Sequence, residues 1–237
     1  MNLMDKRRRD KRKNIAKRSK RLRMASILSL VLILGTISLV LFLQYRYLHR
    51  SVDVKEASVT LSELSGGRIV DDLLDKNKYS RPGKELKRIN GIVVHYTANP
   101  GTGAKANRNY FNNLPEINKK KGTKTYASSN FIIDIDGKIL RVVPETEVAY
   151  ASNDRNEDTL SIECCYLSED GSFTEQTYDS LVWLVSVLCK VYKLNSEQII
   201  RHYDVTGKNC PKYYVANEDK WLQFKVDVMK ETEKKRN

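Results

Sequence analysis

The sequence predicts an α/β domain, a mixed β-sheet flanked by helices, preceded by an N-terminal transmembrane helix. Three observations carry that prediction. A twenty-residue uncharged stretch, MASILSLVLILGTISLVLFL, follows a basic N-terminus; β-branched runs such as GIVV and NFIIDIDGKILRVV have strand length; and two later segments repeat apolar residues at helical spacing. Strands and helices do not alternate regularly, which favours a mixed sheet over a purely parallel one.

The formal charge of +13 is concentrated at one end. Residues 1–50 hold 14 Lys/Arg against two acids, leaving 28 basic and 27 acidic residues beyond them. The part after residue 50 is therefore nearly neutral, and no nucleic-acid partner is expected for it. The uncharged stretch, at 1.5 Å per residue, spans roughly 30 Å, the hydrocarbon thickness of a bilayer. Its length and the following Gln44-Tyr45-Arg46-Tyr47 suit an uncleaved signal anchor better than a cleaved signal peptide. The predicted organisation is a basic cytoplasmic segment 1–23, an anchor 24–45, an extracytoplasmic stalk 46–75, a compact domain 76–228 and a charged tail 229–237. The positive-inside rule puts the protein in the cell membrane with a single pass and a cytoplasmic N-terminus.

The stalk is polar with scattered apolar positions and a Gly66-Gly67 break, and is expected to carry a short helix over 69–74. GIVVHYTA reads as a buried strand ending at His95. A helix is expected over 105–114, then a basic loop over 118–126. Strands 130–135 and 139–143 around Asp136-Gly137 form a hairpin. TLSIECCYL is a further strand in which Leu160, Ile162 and Cys164 alternate with Ser161, Glu163 and Cys165, so the Glu163 side chain leaves the face opposite Leu160 and Ile162. The main core helix covers 174–194, with Ser172 and Glu175 as its capping box. QIIRH is a short strand ending at His202, and a final helix over 217–231 precedes a disordered tail. No internal repeat is evident.

Only three histidines occur, His49, His95 and His202, and both of those beyond the anchor end strands, where side chains converge on one rim of a sheet. Cys210-Pro211 follows His202 by eight residues. Two imidazoles and a thiolate are preferred zinc ligands, and three protein ligands leave a fourth tetrahedral position open. On spacing alone a zinc site and a pair of satisfied rim histidines are equally supported. A zinc site would want a carboxylate as proton shuttle and a cation for a developing oxyanion. Glu163 fits the first and Lys208 the second, although each taken singly is an ordinary surface residue. With Cys210 as a ligand, Cys164, Cys165 and Cys189 remain, of which at most one pair can be bridged.

The segments GIVVHYTANPG, ASSNFIIDIDGKILRVVPETEVAYAS, TLSIECC and RHYDVTGKNCP, in that order and spacing, resemble the zinc-dependent N-acetylmuramoyl-L-alanine amidases of the phage lysozyme-type and peptidoglycan recognition protein family. The resemblance covers about residues 79–224. It implies a peptidoglycan-recognition-protein-like mixed sheet with a peptidoglycan-binding groove. It also implies hydrolysis of the amide between the lactyl group of N-acetylmuramic acid and L-alanine of the stem peptide. His95, His202 and Cys210 match the family's metal ligands, Glu163 its catalytic base and Lys208 the lysine of the ligand loop. Two departures stand out: Ser129 occupies the place of a family tyrosine, whose role falls to no residue or to one elsewhere such as Tyr126, and Tyr150-Ala151 stands where many relatives have Trp-His. The alternative reading is a non-catalytic peptidoglycan-binding module on the same fold. A membrane-tethered scaffold whose basic segment recruits a partner is a third.

Overall fold

The computed structural model describes residues 31–42 and 52–234, with the single positions 17, 24 and 44. Two compact units are present, residues 1–51 and Val52–Asn237. In the first, residues 31–42 are helical and their apolar side chains are exposed, Leu32 by 68%. Apart from position 17, the predicted basic segment lies outside the described residues, as do residues 25–30, 43 and 45 of the predicted anchor. Among the described residues no helix is long and apolar enough to cross a membrane.

The second unit is built on a six-stranded sheet in the order β1-β4-β3-β5-β2-β6. The strands are β1 (Ile69–Asp71), β2 (Gly91–Tyr96), β3 (Phe131–Ile133), β4 (Ile139–Arg141), β5 (Thr159–Cys164) and β6 (Ile199–Arg201). Only β3 and β4 pair antiparallel; all other neighbours are parallel. The mixed sheet predicted from sequence is thus present. The central strands β2 and β5 are buried on both faces, as expected for continuous apolar runs in parallel pairing.

One face of the sheet, carrying Ile92, Val94, Leu160 and Ile162, packs against α1 (Val54–Ser65), α4 (Glu175–Tyr192) and α7 (Glu218–Glu233). The other, carrying Ile132 and Leu140, packs against α2 (Ala104–Asn112) and the start of α3 (Leu114–Lys121). His95 and Glu163, odd-numbered on their strands, belong to this second face. Two short helices, α5 (His202–Thr206) and α6 (Lys212–Ala216), follow β6.

Several expectations need correction. The predicted stalk is part of the fold from Val52 onward, so the boundary expected at residue 76 falls inside the compact unit. Asp53 caps α1 by accepting from the Lys55 and Glu56 amides, and α1 buries Val54, Ala57 and Leu61 before ending at Gly66 with φ +53°. Residues 69–71 form a strand, not a helix: Arg141 on β4 clasps Asp71, and also meets the buried carboxylate of Glu145, which accepts from Ser58 of α1 at 3.0 Å. The loop expected over 118–126 begins inside α3; buried Asn118 organises the turn after that helix by bonding Thr123 and both the amide and carbonyl of Thr125. Helix α4 is capped by Thr174, which accepts from the Thr177 amide, while the Ser172 hydroxyl turns to Asp170. The tail expected to be disordered continues α7 through Glu233.

Candidate metal centre and cleft

β2 delivers His95 near its C-terminal end, 2% exposed. On its neighbour β6, the buried guanidinium of Arg201 bonds Asp204, Glu218 and the Tyr214 carbonyl, and Asp204 accepts in turn from the Arg201 amide. These contacts fix the turn from β6 into α5, whose first residue is His202. The strand therefore stops one residue earlier than expected. Gly207, at φ +74°, ends α5 and lets the chain double back; the Tyr203 amide donates to the Cys210 carbonyl at 2.9 Å.

The result brings three donors together from positions up to 115 residues apart. The His95 and His202 ring centroids are 4.7 Å apart, and Cys210 Sγ lies 3.8 Å from His95 Nδ1. One ligand atom from each of the three falls within 4.8 Å of the others, and all three residues are buried. A tetrahedral zinc with Zn–N of ~2.0–2.1 Å and Zn–S of ~2.3 Å requires nitrogen and sulfur roughly 3.6 Å apart. The observed separation fits. Burial, followed by the His202 and Lys208 charges, holds His95 well below its ordinary pKa; burial and then Lys208 lower that of His202. Both shifts favour the neutral ring, the form that ligates. Burial also pushes the Cys210 thiol up to about 12, so its ionisation calls for a cation beside it. The donor set and its surroundings fit a zinc ion.

Glu163 stands next to this cluster. Burial raises its carboxyl to about 8, partly offset by the charge of Lys208, and its Oε2 is buried without a hydrogen-bond partner. A cleft of about 430 Å³ is lined by His95, His202, Cys210, Glu163, Lys208 and Tyr126, among others. A second cavity of about 340 Å³, toward α2, shares Glu163, Thr97 and Phe111 with it. Lys208 is exposed and makes no ion pair among the described residues. All five sequence-predicted site residues therefore line one cleft.

Ser129 does not line it; its hydroxyl is fully buried and unpartnered. Tyr126 does, half exposed, its ring packed against Tyr79 at 5.3 Å and edge-on to Tyr150 at 5.7 Å. The four cysteines are free thiols. Sequence reasoning missed Ser152, Asn153 and Thr97, whose residue types carry no signal for a site until the fold brings them to the histidines or the cleft.

The profile of the N-acetylmuramoyl-L-alanine amidase family matches residues 85–213. A probable N-acetylmuramoyl-L-alanine amidase of Bacillus licheniformis is 34% identical over 173 residues, 68% of this chain and 47% of that protein. The chain spans about half the length of the curated relatives it matches. Among solved structures, a mutant endolysin from Bacillus subtilis is 26% identical with a TM-score of 0.55, covering 68% of this chain and 97% of the other. The catalytic domain of XlyA, a Bacillus subtilis amidase, aligns with a TM-score of 0.56 at 24% identity over 68% and 98% of the two chains, a likeness of fold.

Proposed function

The chain belongs to the N-acetylmuramoyl-L-alanine amidase family, and on that premise we propose that it is a membrane-anchored, zinc-dependent peptidoglycan hydrolase. The bond cut is the amide between the lactyl group of N-acetylmuramic acid and L-alanine of the stem peptide. The observation that carries this reading is the convergence, in one cleft, of His95, His202 and Cys210 with Glu163, whose Oε2 is buried and unpartnered.

His95, His202 and Cys210 would hold the zinc. When bound, zinc supplies Lewis acidity to a carbonyl oxygen and lowers the pKa of water to about 7. Glu163, with no hydrogen bond to surrender, takes the proton of the attacking water as its oxygen bonds the lactyl carbon. It returns that proton to the L-alanine nitrogen as the C–N bond breaks, leaving a lactyl carboxylic acid and a free amine. A carboxyl whose pKa lies near the working pH can serve in both directions. Lys208 contributes a cation at the cleft where negative charge develops. Retention of the complete ligand set favours this reading over a module that binds peptidoglycan without cutting it.

The anchor reading is supported by twenty uncharged residues behind twelve Lys/Arg, and by exposed apolar side chains all along helical residues 31–42. It places the catalytic domain outside the membrane, facing the wall, with residues 1–23 on the cytoplasmic side. Incubating the full chain with purified peptidoglycan tests the chemistry. New L-alanine amino termini are expected; new reducing sugar ends, or no products, would refute it. Protease added to intact cells should digest the domain and spare residues 1–23.

A further inference from the structure

Ser152 and Asn153 are adjacent in the chain, and each meets a different histidine. His95 Nε2 lies 3.3 Å from Ser152 Oγ, and His202 Nε2 lies 3.1 Å from Asn153 Oδ1. We propose that these two residues are positioning residues, which together fix the tautomer and the ring orientation of both histidine ligands. The proposal rests on the reading of His95, His202 and Cys210 as a metal site.

An amide oxygen only accepts, so His202 Nε2 carries the hydrogen and its Nδ1 keeps a lone pair. On His95 the nitrogen facing Cys210 Sγ is Nδ1, so Nε2–H donates to the Ser152 hydroxyl. That hydroxyl is fully buried and lies 3.0 Å from Ser161 Oγ, which gives it a second partner. Both rings therefore adopt one pattern, hydrogen on Nε2 and lone pair on Nδ1.

The backbone is shaped for this task. Asn153 sits at φ +51°, a left-handed conformation that Asn tolerates better than most residues. Asn156 Oδ1 accepts from the Ala151 and Ser152 amides at 3.0 and 2.6 Å, and the Asn156 amide donates to the Asn153 carbonyl at 3.1 Å. One short turn, held at both ends by Asn156, thus presents two acceptors to two rings. Removing such an outer partner of a metal-binding histidine typically weakens metal affinity by about 10–100-fold.

The test measures the zinc dissociation constant of the full chain in detergent by competition with a chromophoric chelator. Ser152→Ala and Asn153→Gly remove one acceptor each; glycine also suits φ +51°, so the turn survives. Asn153→Asp keeps an acceptor at the same place. Ser152→Ala and Asn153→Gly are expected to bind zinc about 10–100-fold more weakly, Asn153→Asp within about threefold of wild type. The visible spectrum of bound Co²⁺ should change in the two weakened variants only. Wild-type affinity in both Ser152→Ala and Asn153→Gly would overturn the proposal alone. So would equal losses in Asn153→Gly and Asn153→Asp, the mark of a merely structural role. A wild-type chain that takes up no zinc would overturn the metal reading, and this proposal with it.

Discussion

His95 on β2 and Glu163 on β5 are register partners in adjacent parallel strands. Their side chains therefore leave the same face about 4.8 Å apart at the backbone. This pairing sets the carboxyl group beside the His95–His202–Cys210 cluster without any loop having to be ordered. Glu163→Gln keeps the shape and removes the titrating proton. Turnover, followed as release of L-alanine amino groups, should fall by about 10²–10⁴-fold with zinc content unchanged. Retained turnover would remove Glu163 from the chemistry.

The same residue sets a pH dependence of stability in the metal-free chain. Its carboxyl is raised from 4.5 to about 8 by burial, so between those values the folded chain holds a proton that the unfolded chain has lost. Unfolding then becomes easier as pH rises through that window, with the stabilising contribution fully present below 4.5 and gone above about 8. After chelation, the urea midpoint of wild type should fall from about pH 5 to about pH 8 relative to that of Glu163→Gln. Parallel pH profiles would contradict this account of the site.

Lys208 lines the cleft, exposed and outside any ion pair among the described residues. Its loss should cost catalysis rather than folding. Lys208→Met is expected to lower kcat by about 10²-fold, with KM, zinc content and unfolding midpoint close to wild type. A rise in KM at constant kcat would assign it to substrate binding instead.

Leu61 on α1 is fully buried against the sheet and α4. Leu61→Ala should destabilise the domain by about 2–5 kcal/mol, read from urea unfolding at unchanged m. A free stalk would show no change.

The sequence made the chemistry-bearing strands legible because period-two alternation in TLSIEC places Glu163 on one face without reference to the rest of the fold. The core helix α4 was legible for the same local reason, its apolar spacing. Helix α1 left signals too, Asp53 with Glu56 before Gly66, but its buried stripe of Val54, Ala57 and Leu61 is thin and reads as polar sequence until α4 covers it. β1 could not be read from three residues, since its conformation depends on pairing with β4 and on the Arg141–Asp71 clasp, 70 residues apart. Ser152 and Asn153 were illegible for a different reason. Ser and Asn before an irregular turn look like any loop, and only long-range packing shows which rings they meet.

The central claim is that the three-residue cluster serves hydrolysis of the muramoyl–L-alanine amide, and one preparation of the full chain can test it. Zinc per chain and L-alanine amino termini released from peptidoglycan should be measured together, before and after chelation and again after zinc is restored. The account predicts one zinc per chain, with product release that disappears on chelation and returns with the metal. Stoichiometric zinc without any release of amino termini would contradict it.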